Sequence, residues 1–213
     1  MRQILVYADS LSWGIVPTRH RLPFEQRWPG VLENALNAAG ESVRVMEDCV
    51  NGRRTVFEDP YKKGRNGLAG IAERIEAQSP LALVILMLGT NDFQSMHPHT
   101  VWHSAQGVGT LVDAVRQAPL EPGMPVPPIL VVAPPPIREP KGPIAPKFLG
   151  AAEKSAGLAA ALAGVAEERR CAFFDAGSVT GSSVVDGVHL DADQHLALGQ
   201  AIAGAAAPLL PLD

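Results

Sequence analysis

Five short strand candidates recur along the chain, most of them apolar runs, and what lies between them decides the fold. They fall at residues 3–7, 42–47, 82–88, 129–133 and 171–174. The third, around Leu83-Val84-Ile85-Leu86-Met87-Leu88, shows no polar alternation, so both faces of such a strand have to be covered. Between the runs lie stretches of helical periodicity at 28–39, 67–78, 101–117, 147–169 and 191–206. The alanine-rich part, 151–166, reads as a good helix former with a small-residue packing face. Strands alternating with helices predict an α/β fold in three layers, α/β/α, around a five-stranded parallel sheet with right-handed crossovers. No repeat and no internal boundary divides the chain, so one domain over residues 1–213 is expected.

In an open α/β sheet, ligands bind beyond the carboxyl ends of the strands. The first run ends in Ala8-Asp9-Ser10-Leu11, with Trp13 and Gly14 close behind. The third ends in Gly89-Thr90-Asn91-Asp92, and Asp186-Gly187-Val188-His189 stands near the C-terminus. A free serine hydroxyl is a poor nucleophile and needs a base. An Asp and a His three residues apart fit on one side of a single turn of chain, where the carboxylate can orient the imidazole that takes the serine proton. Asn91 would supply a side-chain donor to a developing oxyanion. Asp9-Ser10 taken alone also reads as a turn with a helix cap. Asp9 and Asp92 are expected to hold their turns through local hydrogen bonds.

These three blocks resemble those of the SGNH hydrolase superfamily, also called the GDSL esterases, and the resemblance runs from Ile4 to about Ala205. Arg27-Trp28, Gly52-Arg53-Arg54-Thr55, Ala133-Pro134-Pro135-Pro136 and the FFDAGSV segment are similar to its branch of bacterial arylesterases and acyltransferases. The chain departs from the pattern at Ala8, where the family has Gly, and at Cys49, which aligns with the glycine of the second block. The resemblance implies a flavodoxin-like fold with Ser10, Asp186 and His189 as the catalytic triad. It implies an oxyanion hole from the N–H groups of Ser10 and Cys49 and the side chain of Asn91. Gly52 is the alternative to Cys49, reached by shifting the loop. The implied activity is hydrolysis of short-chain aryl and alkyl esters through an acyl-enzyme, with acyl transfer to alcohols and a homo-oligomer as features of the branch. Carbohydrate O-deacetylase, lysophospholipase, thioesterase and a catalytically silent scaffold are the alternatives.

Trp13, Phe93 and Val188 are the expected pocket residues, with Ile15, Met96, Trp102 and Phe148 also near the rim. The Pro134 to Pro146 segment leaves the fourth strand on the functional rim, either as a wall or lid or as a stiff connection. The segment Leu22-Pro23-Phe24 is a second candidate for covering the mouth. The expected partner is a small-molecule ester. A formal net charge of −4 and the lack of a basic stripe exclude a nucleic-acid partner, and Arg53-Arg54 and Lys62-Lys63 read as solvated loop charges. No apolar stretch suits a membrane, and a cytoplasmic location is expected. Cys49 and Cys171 fall in separate elements and are expected to stay unpaired. Without CxxC or HExxH spacing, neither a metal nor a cofactor is expected, and His97, His99 and His103 read as loop histidines. No glycine-rich phosphate loop follows the first strand, which speaks against a nucleotide-binding module.

Overall fold

In a computed structural model, which describes residues 1–18 and 21–211, each of the five strand candidates becomes a strand. These are β1 (Arg2–Ala8), β2 (Val43–Cys49), β3 (Leu83–Met87), β4 (Ile129–Ala133) and β5 (Ala172–Asp175). All four pairings are parallel, in the order β2-β1-β3-β4-β5. That is the flavodoxin-like order expected. The helices are α1 (Ser10–Trp13), α2 (Trp28–Ala38), α3 (Ile71–Gln78), α4 (Val101–Arg116), α5 (Ala151–Lys154), α6 (Leu158–Glu168) and α7 (Ala192–Ala206). His20 lies outside the described residues.

Successive strand residues point to opposite faces, and the sheet therefore builds two cores. Leu5, Tyr7, Val84 and Leu86 pack with Ile71 and Ile75 of α3, Leu111 and Val112 of α4, and Leu162 of α6. Ile4, Val6, Leu83 and Ile85 pack on the other side with Trp28, Leu32 and Leu36 of α2 and Leu198 and Ile202 of α7. Each fully buried Leu, Ile or Val contributes roughly 1.5–3 kcal/mol relative to exposure. Order along the sheet reverses between β1 and β3, so Ser10 and Asn91 follow the strands that flank the switch point, where ligands of such sheets bind.

The expected helix at 147–169 is corrected. Residues Gly142–Phe148 form a 3-10 stretch with Pro146 inside it, and Gly150 and Gly157 take left-handed backbone (φ +73° and +90°) ahead of α5 and α6. Alanine favours helix throughout this run, but a left-handed residue ends one turn and aims the next elsewhere. The stretch expected to be helical from 67 starts only at Ile71. No single helix among the described residues is long and apolar enough to cross a membrane.

α7 is tied to α2 by His195, which is 0% exposed and accepts the Trp28 N–H at its Nδ1 (3.3 Å). Burial, helped by the charge of Arg27, pushes the His195 pKa from 6.5 down to about 4. The unfolded chain then takes up a proton from pH 6.5 downward while the native ring stays neutral, so this histidine costs stability as pH falls from 6.5 to about 4. Denaturant unfolding of wild type and His195→Gln should diverge across that window, wild type losing the more. A difference that does not move with pH would show the ring charged in the native protein.

Candidate active site

Ser10 opens α1 directly after β1. Asp9 caps that helix, its Oδ1 accepting the Leu11 N–H at 2.9 Å, and Gly14 closes it with left-handed backbone. The serine side chain is thus fixed at the sheet's carboxyl edge by a cap on one side and a turn on the other. It is 7% exposed, enough to meet a small ligand.

The C-terminal block reaches the same point. His189 Nε2 lies 3.2 Å from Ser10 Oγ, and its Nδ1 lies 2.7 Å from Asp186 Oδ2. A ring nitrogen facing a carboxylate carries the hydrogen, which leaves Nε2 as the acceptor for the serine proton. Asp186 Oδ1 also accepts the N–H groups of Val188 and His189, both at 2.9 Å. Burial by itself would raise the Asp186 carboxyl, but the His189 ring and these two N–H groups outweigh it and hold it below the usual carboxylate range. Arg138 N–H donates to Gly187 O (2.8 Å) and Lys141 N–H to Asp186 O (3.0 Å). The Pro-rich loop and the acid–base segment therefore share a seam, so close that a Cβ on Gly187 would come within 2.4 Å of Glu139 O.

Asn91 is held at the same edge. Its Nδ2 donates to Asp9 Oδ2 (2.9 Å) and its Oδ1 accepts from Gln94 Nε2 (2.7 Å). Gln94 Oε1 accepts in turn from Arg54 Nη2 (2.6 Å), and Arg54 also donates to Asp59 (2.9 Å), Gly52 O (3.1 Å) and His97 Nε2 (2.7 Å). The amide orientation is fixed by this chain, with one N–H of Nδ2 left for a ligand. Burial pushes the Asp9 carboxyl up to about 6, against the pull of the Leu11 N–H, His189 and Asn91. Asp92 does not work locally as expected: it accepts from Thr55 N–H and Oγ1 and from Ser104 Oγ, holding the 55 segment and α4 to the loop.

The expectation at Cys49 is corrected. β2 runs on through Cys49, opposite Ala8, and the next residue is still in register, Val50 N–H donating to Ala8 O at 3.1 Å. The backbone reaches the cavity only after the turn at Asn51-Gly52. Gly52 lines the cavity with Ser10 and Asn91; Cys49 does not. Gly52 sits at φ +83°, where a side chain would be strained. Its carbonyl is taken by Arg54, while no acceptor among the described residues takes its N–H. Burial raises the Cys49 thiol well above its ordinary value, which keeps it uncharged.

The cavity beside Ser10 and His189 measures about 350 Å³ and is lined further by Ile15, Asn51, Asp59, Lys62, Pro143, Ile144, Lys147 and Phe148. Pro143 and Ile144 give the Pro-rich segment the place of a wall. Ile15 and Phe148 line it as the sequence led us to expect, whereas Trp13, Phe93 and Val188 do not. Phe93 and Val188 are core residues, 0% and 2% exposed, and Trp13 lies under the Arg21 guanidinium, 4.3 Å from its ring centre. Phe24 packs on the second core instead of covering the mouth. Arg53 and Arg54 are 5% and 0% exposed, not solvated. Two arginines in a row read as surface charge; Asp48, Gly52 and Asp59 lie within five residues of them, but Ala8, Gln94 and His97, which complete their burial, come from segments far apart in sequence that no local signal announces. Burial and the Arg54 charge lower His97 to about 4, and the rings of Phe57, His99 and His97 stack.

A model of the GDSL-like lipase/acylhydrolase family matches residues 9–199. Over 90 residues the chain is 33% identical to an arylesterase of Vibrio mimicus, a match covering 42% of this chain and 38% of that protein. Its structure is similar to a carbohydrate acetylesterase of Sinorhizobium meliloti, with TM-score 0.92 and 35% identity over 99% of this chain and 100% of the other. An aryl esterase of M. smegmatis superposes with TM-score 0.93 and 34% identity, again over 99% and 100%.

Substitutions separate the donors around Ser10. Asn91→Ala removes a side-chain donor and should lower kcat on an ester by about a hundredfold or more. Gln94→Ala keeps Asn91 but frees its amide to turn; kcat should fall by less, with KM little moved. Cys49→Ala should be mild. Steady-state kinetics reads all three, and a large loss at Cys49→Ala beside a harmless Asn91→Ala would overturn this map.

Proposed function

The chain belongs to the GDSL-like lipase/acylhydrolase family, and from that premise we propose that it cleaves short-chain aryl and alkyl esters through an acyl-enzyme on Ser10. Family and structural neighbours make it a carboxylic ester hydrolase. The acyl-enzyme and the short acyl chain are our reading. One observation carries it: Ser10 Oγ, the His189 ring and Asp186 form a continuous line, with contacts of 3.2 and 2.7 Å.

The chemistry follows from that line. Ser10 Oγ bonds to the ester carbonyl carbon as its proton passes to His189 Nε2, and Asp186 stabilises the imidazolium so formed. The carbonyl oxygen becomes an oxyanion. The Asn91 amide and the N–H groups of Gly52 and Ser10 are the donors we assign to it, each worth roughly 3 kcal/mol in such sites. When the carbonyl reforms, the ester C–O bond breaks and the alcohol leaves with the proton from Nε2. Water then attacks the acyl-serine with His189 again as base, and the acid and free Ser10 result.

A cavity of about 350 Å³ with Ile15, Ile144 and Phe148 on its apolar side supports a small acyl group. A sugar acetate is the second reading, favoured by the likeness to the Sinorhizobium meliloti acetylesterase. The apolar lining also supports acyl transfer to an added primary alcohol. A homo-oligomer, which the likeness of the motifs to the arylesterase and acyltransferase branch implies, is part of the same reading.

Ser10→Ala and His189→Ala should each lower ester turnover by about four orders of magnitude or more while circular dichroism stays native. A fluorophosphonate probe should label wild type and not Ser10→Ala. Near-wild-type hydrolysis by folded Ser10→Ala would remove the serine from the mechanism.

A further inference from the structure

Charge in the cavity beside Ser10 is not balanced. Its lining includes two ammonium groups, Lys62 and Lys147, and one carboxylate, Asp59. That carboxylate is already engaged. Asp59 Oδ2 accepts from Arg54 Nη1 (2.9 Å), and Oδ1 accepts the N–H groups of Tyr61 (2.9 Å) and Lys62 (3.1 Å). Arg54 is 0% exposed and its guanidinium is used up within the protein, so the Arg54–Asp59 pair offers no net charge to a ligand.

The two lysines have no such partner. Among the described residues neither Nζ makes a hydrogen bond or an ion pair, and both side chains are exposed. Although Lys147 is exposed, the wall beside it takes part of the water from its ammonium and lowers its pKa, and the charges of Arg54, Lys62 and Arg65 act in the same direction, with Asp59 alone against them. An anion arriving there would relieve that crowding. The chain as a whole carries a formal net charge of −4, so a positive mouth is a local arrangement and not a reflection of composition. Fixed charge of one sign around a concave site attracts ligands of the other sign and orients them on entry.

We propose that the site takes esters that carry a second, anionic group such as a carboxylate, received by Lys62 and Lys147 while the ester carbonyl faces Ser10 and His189. The inference rests on the esterase reading above. It names the chemical class of substrate for that same site. The negative group can stand on either side of the scissile bond, on the acyl chain or on the alcohol, and the shared requirement is the charge.

Two matched pairs of esters test it. On the acyl side the pair is mono-4-nitrophenyl glutarate and its carboxamide; on the alcohol side it is 4-acetoxybenzoate and 4-acetoxybenzamide. Each kcat/KM is divided by the alkaline hydrolysis rate of the same ester, which removes intrinsic reactivity. In at least one pair the anion should be preferred by roughly tenfold at low salt, two partly screened contacts acting together. The preference should shrink as ionic strength rises. In the Lys62→Glu, Lys147→Glu double variant it should reverse in favour of the carboxamide. Turnover of the neutral esters with ratios near one in both pairs, or a preference that survives the charge reversal, overturns the proposal and leaves the esterase standing. Turnover of none of the four esters overturns the esterase reading and this inference with it.

Discussion

Asp9 and Asp59 stand at the two ends of a buried hydrogen-bond chain through Asn91, Gln94 and Arg54, and the loops around Ser10 hang from it. Asp9, Asn91, Gln94 and Arg54 are all 3% exposed or less. Polar groups so buried must keep their partners, since leaving one unpaired costs roughly 1–3 kcal/mol. No member can therefore turn alone. The chain crosses from the end of β1 to the end of β3 and then to the turn after β2, so three separate strand ends are held in one geometry. Arg53 adds a second clamp: it donates to Ala8 O and pairs with Asp48, over the Tyr7 ring at 3.8 Å. The result is a set of donors fixed before a ligand arrives, which is what electrostatic stabilisation of a developing charge requires.

The sheet makes that clamp possible. With both faces packed, β1 and β3 are rigid to their carboxyl ends, and the residues that follow inherit the rigidity. Ser12, two residues after Ser10, accepts the Trp28 indole N–H at 3.0 Å and so fastens α1 to the second core. His189 comes from the far end of the chain but is equally fixed, its carbonyl accepting Ser183 N–H at 2.7 Å. Ser10 and His189 are 179 residues apart and meet because the short helix α1 and the loop that carries His189 are both tied to packed structure.

How much of this the sequence discloses depends on the range of the forces. The central strands are legible because continuous apolar runs permit little else; Ser10 and Asn91 are legible as blocks at strand ends, and Asp186 and His189 as a block near the C-terminus. Cys49 misleads because block alignment cannot say how far a strand keeps its register. Trp13, Phe93 and Val188 mislead because nearness in sequence to Ser10, Asn91 and His189 says nothing about which side of the chain a side chain takes; Phe93 and Val188 turn inward, into the first core. Arg54 and Gln94 are invisible for the opposite reason. Gln94 stands only three residues from Asn91, but what fixes both is the Arg54–Gln94 bond across 40 residues, and a pair of that kind is set by the packed fold and not by any local pattern. The long helix at 147–169 fails on a weaker point, since alanine content outvotes two glycines in a window average but not in the chain.

The seam between the Pro-rich loop and the Asp186–His189 segment sets terms for how this protein can diversify. Arg138 and Lys141 bond to the backbone of Gly187 and Asp186, and Glu139 lies against Gly187 itself. An insertion or deletion between 138 and 141 would carry the carboxylate away from the ring it holds. A surface loop without such a tie tolerates changes of length; the length of this one is fixed by the carboxylate and ring it holds. Variation in what the cavity admits is therefore channelled into single side chains borne by the loop, at Pro143, Ile144, Lys147 and Phe148. Descendants of this chain can exchange their tastes one residue at a time, over a backbone they have to keep.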